Sequence, residues 1–147
     1  MRLTWGVCLL AAACGGDGGT GPTTSHQIAG EWTYETRSLQ DGLGTWCATT
    51  GTTLRYNQAG VTFSGSILAG SITCIHGSDT TGGHLGVGQV QNGVIHGDSI
   101  EFYVDGNTWR SFGTFITPDS VAGTVNAIFV VQGQQYILVG NWYSKRK

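Results

Sequence analysis

Charge is scarce in this chain. Its 147 residues include 7 Lys and Arg and 9 Asp and Glu, so 11% are charged, against about 25% in typical globular domains. The net charge of −2 speaks against nucleic acid as a partner, because phosphate recognition needs a basic surface. The one basic cluster, Lys145-Arg146-Lys147, is terminal and reads as a solvated end, below the usual count for a polybasic patch on anionic lipid. Proline is scarce too, at 2 residues, whereas aromatics reach 10%. A disordered chain has few aromatics and many charges, so an ordered domain is expected. No segment carries sustained apolar spacing of three and four, which excludes all but short helical turns. No GxSxG, HExxH, phosphate-cradling glycine loop or heptad is present, so no enzyme is expected. His96-Gly97-Asp98-Ser99 groups base, acid and hydroxyl, but neighbours in a turn rarely converge on one reacting atom. It reads as a turn.

A long apolar run is also missing. The stretch from Leu3 to Ala13 is shorter than the about 20 residues needed to span a bilayer. Arg2 precedes it, the small residues Ala11-Ala12-Ala13 end it, and Cys14 follows, then Gly15-Gly16-Asp17-Gly18-Gly19-Thr20-Gly21-Pro22. This layout resembles the signal peptide of a bacterial lipoprotein. The resemblance implies that residues 1–13 are removed and that Cys14 receives diacylglycerol. Residues 14–27, rich in Gly, Thr and Ser, then form a flexible tether. The expected location is the cell envelope, outside the cytoplasm, with the N-terminal lipid making a bacterial membrane the partner. An ordinary secretory signal or an untranslocated apolar tail is the alternative.

Of the four cysteines, Cys8 leaves with such a signal and Cys14 is blocked by lipid. Cys47 and Cys74 remain as an even pair in a compartment where disulfides persist. A bridge between them is expected; two buried free thiols are the alternative. Cys74-Ile75-His76 also puts two potential metal ligands on one strand face, with His84 and His96 further on. No four-ligand spacing accompanies them, so no metal and no cofactor are expected.

What the chain does have, from Ile28 to Lys147, is alternation. In Glu31-Trp32-Thr33-Tyr34-Glu35-Thr36-Arg37 the even positions carry Trp, Tyr and Thr and the odd ones are polar. Strand side chains point to opposite faces in turn, so this segment has one packed and one wet face. Similar segments recur at 52–56, 61–68, 71–76, 85–91, 94–96, 99–104, 108–117, 121–131 and 136–144. Asn57-Gln58-Ala59-Gly60, Asn92-Gly93, Asp105-Gly106-Asn107, Pro118-Asp119 and Gln132-Gly133-Gln134 supply turns, and 77–83 reads as a glycine-rich loop. Asn92-Gly93 is the strongest hairpin signal, because both residues tolerate positive φ. The expected fold is all-β, a single antiparallel up-and-down meander of about 8 strands. Closure into a barrel would protect its edges. Gly65 and Gly123 inside strand patterns mark expected bends, whereas Gly97 reads as a turn.

Gly30-Glu31-Trp32 resembles the GxW motif that opens the lipocalin and calycin barrels, and the avidin barrels share this opening and the meander. That resemblance implies a tryptophan plugging the closed end beneath an arginine, here Trp32 and Arg146. Gly140-Asn141-Trp142 is a second copy, which a barrel would bring beside the first strand. A small apolar ligand at the open end is implied as well. The residues that alternation turns inward, Tyr34, Tyr56, Phe63, Ile100 and Phe102, are the candidate ligand contacts, and plain core is the other role they would fill. If they meet in the centre the barrel is solid; if Gly65, Gly113 and Gly123 oppose them, a cavity remains. The expected function is a membrane-tethered, lipocalin-like binding module. The alternative is a solid barrel or sandwich serving protein interaction, envelope structure or enzyme inhibition, with no particular protein partner indicated.

Overall fold

The computed structural model describes residues 26–106, 108–131 and 134–147, without the side chains of 129–131 and 134. The signal segment 1–13, Cys14, the tether up to Ser25 and the turn residues Gln132 and Gly133 lie outside the described residues. Nine strands follow one another: β1 Gly30–Gln40, β2 Thr45–Ala59, β3 Thr62–His76, β4 Asp79–His84, β5 Gln89–His96, β6 Ser99–Val104, β7 Trp109–Thr117, β8 Ser120–Val131 and β9 Gln134–Arg146. Every pairing between them is antiparallel. The sheet runs β2-β1-β9-β8-β7-β6-β5-β3-β4, and β2 also pairs with β3. That extra pairing closes eight strands into an up-and-down barrel and leaves β4 as an addition on the upper half of β3.

β1 follows its alternation. Trp32, Tyr34 and Thr36 are buried while Arg37 is exposed. The barrel is thus apolar inside with charge outside, the reverse of a barrel whose outer wall faces lipid. Each large side chain turned fully inward contributes on the order of 2 kcal/mol. The second GxW copy falls where expected, with Trp142 of β9 opposite Thr36 of β1.

Two segments differ from the sequence expectation. Asn92 and Gly93 do not end a hairpin; they lie within β5, so 85–91 and 94–96 are not two paired strands. Asn92 takes φ 52°, and the register slips there against both β6 and β3. Positive φ serves a bulge as well as a turn. The ring of Phe63 lies 2.5 Å from where a Gly93 Cβ would stand, so a side chain at that position would displace it. The second difference is the supposed loop 77–83, most of which is β4. Its register with β3 runs from Asp79 opposite His76 to His84 opposite Ser71. All six β4 residues are exposed, so no apolar alternation announced it.

The strands have unequal reach. On one side β6 ends at Val104 and β7 begins at Trp109, whereas β2 and β3 continue to Thr45 and His76. One wall is short and the opposite wall tall. At the tall rim Cys47 stands opposite Cys74, and the two form a disulfide with a Cα–Cα distance of 4.1 Å.

Candidate functional site

The barrel has a closed end, a packed middle and an open end. Trp32 is fully buried at the closed end, where its indole N–H donates to the Ile28 carbonyl at 2.7 Å. The Arg146 guanidinium lies 4.6 Å over its ring. Arg146 also binds Asp119 at 2.7 Å and donates to the carbonyls of Ala29, at 2.6 Å, and Gln27. His26 stacks on Phe115 at 4.1 Å and meets Asp98 at 2.7 Å. The last residues before β1 are therefore strapped across this end.

Above them the middle is filled. Tyr34, Tyr56, Phe63 and Phe102 form an edge-to-face network with centroid distances of 5.3–6.1 Å, the spacing aromatic pairs prefer. Trp142 stacks on Tyr34 at 5.1 Å. Of the glycines expected to leave a void, Gly113 instead seats this indole, while Gly65 and Gly123 lie against backbone of the neighbouring strands. A Cβ on Gly113 would meet Trp142 at 2.6 Å, and the indole N–H donates to the carbonyls of Phe112 and Thr124. Gly123 is pressed closer still, 1.8 Å from its absent Cβ to the Phe112 carbonyl oxygen, so only glycine fits there.

Toward the open end a cavity of about 270 Å³ remains. Tyr34 and Trp109 form its floor, and Leu54, Ile67, Leu85 and Val104 its walls, with Thr52, Asp105, Thr108 and Ile128 completing the lining. The floor is polar-satisfied. Trp109 Nε1 donates to the Tyr34 hydroxyl at 2.9 Å, and that hydroxyl meets Ser111 Oγ at 2.9 Å. Burial pushes the Tyr34 phenol well above its ordinary pKa, against the opposing pull of the Ser111 and Trp109 hydrogen bonds, and burial raises Tyr56 likewise. Both phenols are therefore neutral at physiological pH.

Thr52 stands apart from these satisfied groups. It is 2% exposed, yet among the described residues its hydroxyl has no hydrogen-bond partner. Nearby Thr36 and Thr49 show the contrasting case, each hydroxyl accepting the other's backbone N–H at 2.8 and 3.0 Å. An unpartnered buried hydroxyl costs about 1–3 kcal/mol, and a water or ligand atom in the adjoining cavity would relieve it.

Of the five candidate ligand contacts, Tyr34 lines this cup, and Tyr56, Phe63, Ile100 and Phe102 are buried in the core without lining it. Alternation fixes which face a side chain takes but not its height along the barrel. The cup residues not anticipated come from several elements. The available signals were Thr52 beside Gly51, which takes φ 61°, and Trp109 at the strand start just after Asp105-Gly106. Higher on the tall wall a second hollow of about 420 Å³ is bordered by the Cys47–Cys74 pair, Thr45, His76 and Tyr136. His76 Nδ1 and Thr45 Oγ1 meet there at 2.9 Å. Among the described residues no group of three or more His, Cys, Asp or Glu is placed to hold a metal ion.

Fold and site together define a closed eight-stranded antiparallel barrel with one extra strand, plugged at one end and cupped at the other. No protein-family model, curated protein or solved structure matches the chain at a significant level.

Proposed function

We propose that this protein is a membrane-tethered, extracytoplasmic lipoprotein with a lipocalin-like barrel, and that it binds a small apolar ligand in the cup above Tyr34 and Trp109. The cup itself carries the reading: a 270 Å³ space, walled by aliphatic side chains directly above a filled aromatic middle. Its volume equals about nine liquid waters, which suits a ligand smaller than drug-sized molecules. The Arg146–Trp32 stack at the opposite end supports the lipocalin likeness, and the Cys14 pattern supports the tether. Mass spectrometry of small molecules extracted from natively purified protein tests the binding; consistently empty protein would overturn it. Cys14→Ala should move the protein from the membrane fraction to the supernatant, and unchanged association would contradict the lipid anchor.

One observation favours a second reading, interaction with another protein. On the outer wall Trp46 is paired with Ile75 across β2 and β3, and both are about 40% exposed, at 41% and 38%. Loss of a co-purifying protein on Trp46→Ala, with an empty cup, would favour that alternative.

A further inference from the structure

The chemistry of the cup's lip narrows the ligand further, resting on the binding role just proposed. Among the described residues Asp105 is the one charged side chain in the lining. It sits in the turn that forms the short wall, held at φ 49°. Its Oδ1 accepts the Gln89 backbone N–H at 2.9 Å, and the Asp105 N–H returns a bond to the Gln89 carbonyl at 3.0 Å. These two bonds fix the carboxylate at the mouth. Among the described residues no ion pair neutralises it, and none donates a hydrogen bond to its Oδ2. The floor offers nothing charged in return, because Tyr34 and Trp109 spend their polar atoms on each other. An anionic head entering this cup would meet an unpaired negative charge, whereas a cation would meet its counter-ion. Thr52 supplies a second pointer to a ligand, a buried hydroxyl in the same lining without a partner.

We infer that the cup is selective for a small monocationic amphiphile, an alkyl or aryl ammonium whose apolar body fills the space above Tyr34 and Trp109 and whose head lies against Asp105. Fatty carboxylates of the same size are the ligands it disfavours.

Three probes that share one chain and differ only in the head test this: n-octylammonium, n-octanol and octanoate. Binding to the full chain is followed at pH 7 and low salt by calorimetry and tryptophan fluorescence. The ammonium is expected to bind about tenfold more tightly than octanoate, with octanol between, as for a partly exposed charge pair. Raising the salt should shrink that ratio, because the lip is screened by ions. Asp105→Asn keeps an oxygen acceptor for Gln89 and should bring the ammonium and octanoate affinities together. Octanoate binding as tightly as the ammonium, or a preference that survives both salt and Asp105→Asn, would overturn the inference while leaving an apolar binding site in place. No binding of any probe would overturn the binding role itself, and the inference with it.

Discussion

The lower and upper halves of the barrel solve the same packing problem differently. Below, inward positions carry large rings that interlock, Gly113 leaves room for the Trp142 indole, and Gly123 lets β7 and β8 approach closely. Above, the inward positions of β1 and β2 turn to threonine: Thr36, Thr49 and Thr52 are all buried. A disulfide clasps the rim where aromatic packing has run out. Stability is thus concentrated at one end, and the other end can keep a space open without risking the whole barrel. A sequence of uniform strand rhythm can still encode a division of labour along the barrel axis.

Substitutions at the two ends should separate these roles. Trp32→Ala, at the closed end, should cost about 3–5 kcal/mol in denaturant unfolding; a near-neutral result would mean that the closed end is not the main store of stability. Opening the upper clasp with Cys47→Ala and Cys74→Ala together should cost about 3 kcal/mol, from the lost restriction of the unfolded loop. If the halves are as distinct as described, that variant keeps the near-UV signal of the aromatic middle.

Alkaline pH reaches the same middle by another route. Unfolded tyrosines ionise near pH 10, and burial sets Tyr34 and Tyr56 above that. Over that window the folded state holds more protons than the unfolded one, so stability falls as pH rises through it. Below pH ~10 these two groups contribute no slope. The loss is on the order of 1 kcal/mol per pH unit for each phenol, readable as a falling Tm between pH 10 and 11.5. Tyr56→Phe should flatten the curve.

The smallest effects should distinguish two neighbouring threonines. Thr49→Val strands the buried Thr36 N–H and should cost about 1–3 kcal/mol, whereas Thr52→Val removes a hydroxyl with no partner and should be neutral or stabilising by about 1 kcal/mol. Equal destabilisation by both would mean that the Thr52 hydroxyl is satisfied in solution.

How much of this was legible depended on the kind of signal. Gly30-Glu31-Trp32 and the alternation after it placed β1, its faces and its neighbour β9 correctly. A strand with one packed and one wet face needed only its own residues to declare itself. Asn92-Gly93 misled because the same positive φ that closes a hairpin also makes a bulge, and only the pairing with Phe63 decides between them. β4 was invisible because all six of its residues are exposed and carry no apolar alternation. The cup was illegible for a different reason. Thr52, Leu85, Asp105 and Trp109 meet only because the short wall stops at the 105–108 turn while β2 and β3 run on. That inequality belongs to the register and not to any one segment. The disulfide lay between these cases, since counting cysteines gave the pair and the β2–β3 register put the two opposite each other.

The strap across the closed end bears on how the barrel would carry a mechanical load. The chain enters β1 at that end, and β1 is flanked by β2 on one side and β9 on the other. Tension applied at His26 pulls along the strand axis, not across it. It is met first by the Arg146 bonds to the Gln27 and Ala29 carbonyls. Behind them both ladders of β1 share the force in shear, many hydrogen bonds at once, where an edge strand pulled sideways would unzip one at a time. A load entering through the N-terminus is in this way met at the barrel's strongest point, with the mouth at the far end and free of the strain.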